Sequence, residues 1–160
     1  AGAAAARGDI LLFLHADTRL PADADRHVRD ALSGRAWGRF DVAIAGGHPL
    51  LPLVAALMNR RSRLTGICTG DQALFATRAA FAQAGGFPEI ALMEDVAISR
   101  RLKRVSRPAC LAQRVVTSGR HWERRGVLRT ILLMWRLRLA FFLGADPDLL
   151  ARRYGYVPRS

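Results

Sequence analysis

The chain has 160 residues, 51% of them hydrophobic, and a formal net charge of +12. That length suits a single domain, residues 1–160, able to bury a core without staples, and Cys68 and Cys110 lack the spacing of a zinc site or a disulfide framework, which points to a reducing compartment. No apolar run is long enough to cross a bilayer and the opening Ala1–Arg7 lacks the pattern of a signal peptide, so a cytoplasmic location is expected, with peripheral contact at the inner face of the membrane compatible with it.

Ala1 to Arg7 reads as the end of a helix, with Gly8 where a left-handed residue stops it. Ile10 to Leu14 is an unbroken apolar run, which predicts a strand buried on both faces of a parallel sheet. His15, Ala16 and Asp17 then fall at its carboxyl end, the edge where open α/β sheets bind ligands. The alternative for Asp17 is a turn residue capping the next helix, since Asp-Thr-Arg-Leu-Pro is also good turn chemistry. Pro21 opens a helix to about Leu32. Phe40, Val42 and Ile44 alternate with Asp41 and Ala43, as in a strand with one face covered, and Gly46-Gly47 closes it. A long helix follows from Pro49 to Thr65. The polar loop Gly66–Gln72 leads into a short buried strand, Ala73 to Thr77, and a brief helix from Arg78 to Ala84.

Glu94 begins a helix that runs to Val105. Asp95 shares its stripe with Ile98, Leu102 and Val105, so one acid of the first turn points inward, although the helix dipole alone accounts for acids at that end. Pro108 to Val116 predicts another strand, Ser118 to Gly126 a loop dense in polar groups, and Val127 to about Gly144 a long helix. Trp135 is expected to fill the core or a membrane-facing side, and Trp37 to be packing. A final short helix starts at Asp146-Pro147 and ends near Gly155. Residues 1–95 hold ten basic and ten acidic groups, whereas residues 96–160 hold fifteen basic and three acidic. The excess is therefore at the carboxyl side, and Lys103 is its only lysine. Arginine suits phosphate or pyrophosphate, so nucleic acid, anionic lipid and a phosphorylated small molecule all fit the charge.

Four motifs, Phe-Leu-His-Ala-Asp-Thr at 13–18, Gly-Asp-Gln-Ala-Leu-Phe at 70–75, Met-Glu-Asp-Val at 93–96 and Gly-Arg-His-Trp at 119–122, together resemble the inverting glycosyltransferases of family 2, in the bacterial branch that writes Asp-X-Asp as His-Ala-Asp. The resemblance implies a GT-A fold: an α/β/α three-layer sandwich with a mostly parallel central sheet. Within it, residues 1–77 would form the metal-site strand and the elements after it, 78–126 the base and acceptor region, and 127–160 the carboxyl-terminal helices. The resemblance makes Asp95 the general base and gives Asp17 and His121 to a divalent metal, Mg²⁺ or Mn²⁺. His15, Ala16, Arg120, Trp122, Arg124 and Arg125 would lie on the donor side, and Gly70, Asp71, Gln72 and Glu94 on the acceptor side. The implied partners are a nucleotide-diphosphate sugar and an acceptor whose identity the residues do not name, with peripheral membrane contact through residues 127–144 and no nucleic acid.

The chemistry supports these residue types: a hard cation needs only one or two carboxylates when phosphate oxygens complete its shell, and a base at a helix start inside a cleft can take an acceptor proton. Arginines on a flexible loop over 119–126 would close over the diphosphate. Members of the family begin with further strands that hold the nucleotide base, so the sheet is expected to lack its amino-terminal part and the chain to transfer weakly by itself. Two other readings compete. A phosphatase of the haloacid-dehalogenase type also has an apolar strand ending in Asp-X-Asp-X-Thr, but His15 stands where its nucleophile must be. A basic binding module for nucleic acid or an anionic membrane explains the charge but not the inward acids at 17 and 95.

Overall fold

The computed structural model describes residues 2–155. Strands β1 (Ile10–Leu12), β2 (Thr18–Arg19), β3 (Trp37–Ala45), β4 (Phe75–Thr77) and β5 (Ala109–Ser118) form one sheet in the order β1-β4-β3-β5-β2. The helices are α1 (Gly2–Ala5), α2 (Ala24–Leu32), α3 (Leu51–Thr65), α4 (Arg78–Gln83), α5 (Glu94–Val105), α6 (Arg120–Arg125), α7 (Val127–Phe142) and α8 (Pro147–Tyr154), with a 3-10 turn over Gly70–Gln72. The architecture is α/β, but the sheet is mixed rather than mostly parallel. Among the described residues only β3 and β5 pair in parallel; β1 with β4, β3 with β4 and β2 with β5 are antiparallel. The connections explain why. α3 carries the chain back from Gly46, which Leu51 touches, to the level of Asp41, which Arg63 reaches. The chain then returns to Gly70, against His15 beyond the carboxyl end of β1, so β4 enters from that end and runs against both neighbours.

β1 is consequently an edge strand and not a central one. It pairs with β4 alone among the described residues, and Ile10 and Leu14 are exposed while Leu11 is buried. Because β1 and β3 both oppose β4, and β3 and β5 are parallel, three strands point the same way and end on one edge of the sheet. β4 alternates as a covered strand must: Phe75 joins a core with Phe40, Val42, Val54 and Val28, whereas Leu74 and Ala76 join a second core with Trp37, Ile98 and Leu102. Helices therefore cover both faces here.

β3 departs from the expected half-covered pattern. It starts earlier, at Trp37, and is buried along nearly its whole length, with Arg39 and Asp41 inside. Two charges tolerate that burial because they answer each other: Asp41 accepts from Arg39 through one oxygen and from Arg63 of α3 through the other, at 2.7 Å. Two further differences concern the carboxyl half. β5 extends to Ser118, and Arg120–Arg125 forms a short helix in place of the expected loop. Of the two expected places for Trp135, the core is not the one it takes, since it is two-thirds exposed (67%).

β4 pairs with β3 only at Trp37 and Gly38, which leaves the next stretch of that edge of β3 without a strand. Asn59 of α3 takes the strand's place. Its amide donates to the Val42 carbonyl at 3.0 Å and accepts from the Val42 N–H at 2.9 Å. Gln72 donates to the same Asn59 oxygen at 3.3 Å and accepts from the Thr69 N–H at 3.3 Å, so the 3-10 turn hangs on this amide pair. Asn59→Ala should leave two buried backbone groups unanswered and destabilise the fold by at least roughly 2 kcal/mol. Urea unfolding of the variant checks this, and a loss well under that figure would show that water satisfies Val42.

Candidate functional site

After Leu12 the chain keeps its pairing for one residue, since the Phe13 N–H donates to the Leu74 carbonyl at 2.8 Å. It then reverses: the Thr18 N–H donates to the His15 carbonyl at 3.0 Å, and the Thr18 hydroxyl bonds Thr117 of β5 at 3.1 Å. Ala16 and Asp17 occupy the tip of that turn, exposed to solvent. Asp17 caps no helix, because α2 begins beyond Asp23.

The His15 ring lies directly on Gly70, so a Cβ there would push the exposed ring aside. The next residue, Asp71, stands 3.6 Å from His15 Nδ1 and raises the pKa of the imidazole above its ordinary value. Gly70 also turns its N–H to Asp95 Oδ2, at 2.8 Å, and the Val96 N–H donates to Asp95 Oδ1 at 2.7 Å. Burial nevertheless raises the Asp95 pKa, outweighing both bonds, and burial raises that of Glu94 as well. Two non-glycine residues in left-handed conformations bracket this contact: Ala73 (φ 46) after the 3-10 turn and Met93 (φ 69) before α5. Such conformations persist only where surrounding packing enforces them, and both residues are buried.

Two cavities meet at His15. One, of about 650 Å³, is lined by His15, Asp17 and Asp71 with Ser118, His121 and Trp122 from the β5–α6 junction. Asp17 and His121 are thus on one cleft although 104 positions separate them in the chain. The other, of about 1110 Å³, follows β1 and takes in Gly70, Glu94 and Asp95, with His15 in the wall between. His121 bonds the Tyr154 hydroxyl at 3.0 Å, and burial and Arg125 lower its pKa, which favours the neutral imidazole.

The remaining expected residues lie elsewhere. Gln72 is fully buried in the amide pair with Asn59, a supporting position. Arg120 folds back on the Ser118 hydroxyl at 3.1 Å. Arg125 donates to the Tyr154 carbonyl at 2.8 Å and stacks on that ring, and neither it, Arg124 nor Arg120 lines the cleft. Three arginines do line it that the motifs did not single out: Arg60, which is exposed, and the half-buried pair Arg61 and Arg138. A signal for the pair existed: Arg61 follows Val54 and Met58 at i+7 and i+3, and Arg138 follows Ile131 and Met134 at i+7 and i+4, so each is a charge on a cleft-facing stripe.

Among the described residues no three His, Cys, Asp or Glu side chains cluster closely enough to enclose a metal by themselves. The donor set on the cleft is nevertheless hard oxygen from Asp17 and Asp71, which suits Mg²⁺ or Mn²⁺ when a ligand's phosphates supply further oxygens. Compared with family models, curated proteins and solved structures, the chain matches none.

The raised Asp95 pKa has a consequence for stability. Between the unfolded and the higher folded value the native state holds a proton that the unfolded chain releases, so stability falls as pH rises through that window. Asp95→Asn removes the cost and should melt higher than the parent at neutral pH, with the gain shrinking as acid returns the parent's proton. Thermal melts from acid to neutral pH decide it; a lower melting temperature throughout would mean that the ionised carboxylate stabilises the fold.

Proposed function

We propose that the protein is a family 2 glycosyltransferase of GT-A type, which moves a sugar from a nucleotide-diphosphate donor to an acceptor hydroxyl with inversion. The observation that carries this reading is the Asp95 carboxylate, held by the Gly70 N–H beside the His15–Asp71 pair, at the same strand edge as Asp17 and His121. In the proposed reaction Asp95 takes the acceptor's hydroxyl proton as that oxygen attacks the anomeric carbon. The bond from that carbon to the diphosphate breaks on the opposite face, and the electron pair leaves with the diphosphate. A raised pKa makes Asp95 a stronger base than an ordinary carboxylate, provided the pH is high enough to ionise it. Asp17 would hold the metal together with the donor's phosphates, and Mg²⁺ or Mn²⁺ there supplies Lewis-acid neutralisation of the leaving charge. His121, neutral and fixed by Tyr154, stands across the same cleft. The proposed setting is the cytoplasm.

A panel of nucleotide sugars titrated calorimetrically with and without Mn²⁺ tests the proposal. At least one should bind saturably only with metal. Asp17→Asn should weaken that binding, and Asp95→Asn should leave it within a few-fold while turnover falls roughly 10²–10⁴-fold, the usual worth of a general base. The acid limb of the pH–rate profile should lie above the ordinary carboxylate range. Metal-independent binding of nucleic acid that falls steeply with salt would instead establish the basic module.

The reading includes a membrane contact. Leu128, Leu132, Trp135, Leu139 and Phe142 recur along α7 at i, i+4, i+7, i+11 and i+14, and all are more than half exposed. Arg129 and Arg136 are exposed beside them, and Arg100 lies over the Phe142 ring at 5.5 Å. No described helix is long and apolar enough to cross a membrane, so this stripe with its cations suits adsorption to an anionic surface. The protein should sediment with phosphatidylglycerol vesicles and not with phosphatidylcholine vesicles. Leu132→Asp together with Leu139→Asp should abolish that binding; if the double variant still sediments, the stripe is not the contact.

A further inference from the structure

Arg61 and Arg138 have no place in the roles above, yet they reach the cleft from α3 and α7. The Nε and Nη2 atoms of Arg61 are buried and have no hydrogen-bond partner among the described residues. Neither arginine belongs to any ion pair found among those residues, which are His15–Asp71, Arg26–Asp23, Arg29–Asp25 and the Asp41 pairs. Arg39 is more deeply buried and also has an unpartnered Nε, but its charge is met by Asp41. Burial and the neighbouring charge of Arg138 push the Arg61 pKa down to about 10, and burial lowers that of Arg138 too. Asp95 attracts both from a distance without pairing. Two like charges with no counter-ion, on a wall shared with Leu57, Leu64, Met134 and Trp135, are an unfavourable arrangement for a free protein. A ligand that brings one compact anion and an apolar body removes the cost, and a guanidinium pair matches a phosphoryl group in shape and charge.

We infer that Arg61 and Arg138 seat a phosphoryl group of an amphiphilic acceptor, whose apolar chain lies along Leu57, Leu64, Met134 and Trp135 and whose hydroxyl end reaches past His15, which lines both cavities, towards Asp95. The inference rests on the transfer reading and names its acceptor class. The lip of the cleft supports it. Leu57, Leu64 and Trp135 are exposed, at 52%, 78% and 67%, and Trp135 also belongs to the apolar stripe of α7. A lipid-like molecule entering from a membrane surface would pass from that stripe into the cleft without exposing its chain to water. The same phosphoryl chemistry is available from the donor's diphosphate, so the experiment separates the two sources.

Decyl phosphate below its micellar concentration, inorganic pyrophosphate and decanol are titrated into the protein, with tryptophan fluorescence as the readout, since Trp122 and Trp135 line the cleft. Decyl phosphate is expected to bind at least tenfold more tightly than either other probe. Arg61→Gln and Arg138→Gln should each weaken it tenfold or more and leave decanol unchanged. Because each variant removes an unmatched buried cation, neither should lower the melting temperature, which an arginine kept for structure would do. Where Arg61→Gln fails to fold, Arg61→Lys keeps the charge without the planar fork and should still lose several-fold in affinity. Pyrophosphate binding as tight as decyl phosphate, with equal loss in the variants, would assign the arginines to the donor and overturn the inference. Unchanged affinity in both variants would overturn it as well. Metal-dependent binding of the nucleotide sugar is measured separately, so its failure would count against the transfer reading and not against this seat.

Discussion

The short pairing of β4 with β3 is the constraint on which the site depends. A full-length strand would fill that edge of β3 with its own backbone; two residues of pairing leave Val42 to be answered by a side chain. Asn59 is suited to this because one amide offers both a donor and an acceptor, as a peptide group does. Its oxygen also binds Gln72, which fixes Thr69 and thereby the 3-10 turn. The turn in turn presents the Gly70 N–H to Asp95 and the Asp71 carboxylate to His15. A sheet irregularity thus becomes the means of positioning polar groups 25 residues apart in sequence.

Charge is handled in two ways in this fold. Arg39 and Asp41 are buried in the sheet and answer each other, and the exposed Arg63 of α3 takes the other Asp41 oxygen. Around the strand edge, Asp95 and Glu94 are partly buried acids, and Arg61 and Arg138 are desolvated without partners. Stability alone would favour pairing these groups or replacing them with apolar residues. Instead these charges line two adjoining cavities that share His15, in keeping with the proposed proton transfer and anion binding, and the cost falls on the fold.

α7 contributes to both sides of that arrangement. Thr130, Ile131, Met134 and Arg138 line the cleft, while Leu128, Leu132, Leu139 and Phe142 face outward, and Trp135 stands at the junction of the two. The helix is therefore the physical link between an apolar surface and the polar interior of the cleft. Its arginines divide accordingly, with Arg129 and Arg136 in solvent and Arg138 turned in.

Local patterns determined much of the fold. The long helices α3 and α7, the inward stripe of α5 with Ile98 and Leu102 fully buried, the cap that Asp146 makes to Asp148 and the strand that follows Gln72 all lie where periodicity and capping residues place them. These features depend on neighbours within a turn or two. The polar ends of the apolar runs were legible for the same reason, and His15, Asp17, Asp71, Asp95 and His121 do gather at one strand edge. What pairs with what was not legible. An apolar run such as Ile10–Leu14 reads the same at the edge of a sheet as in its centre, and only long-range pairing made β1 an edge strand beside an antiparallel β4. The Arg120–Arg125 segment carries its charges whether it is a loop or a helix, and the Tyr154 backbone, 29 residues on, decided where Arg125 points. Tertiary structure likewise set Arg61 and Arg138 on one cleft, because a charge declares itself unpaired only when the packing around it has left no partner within reach.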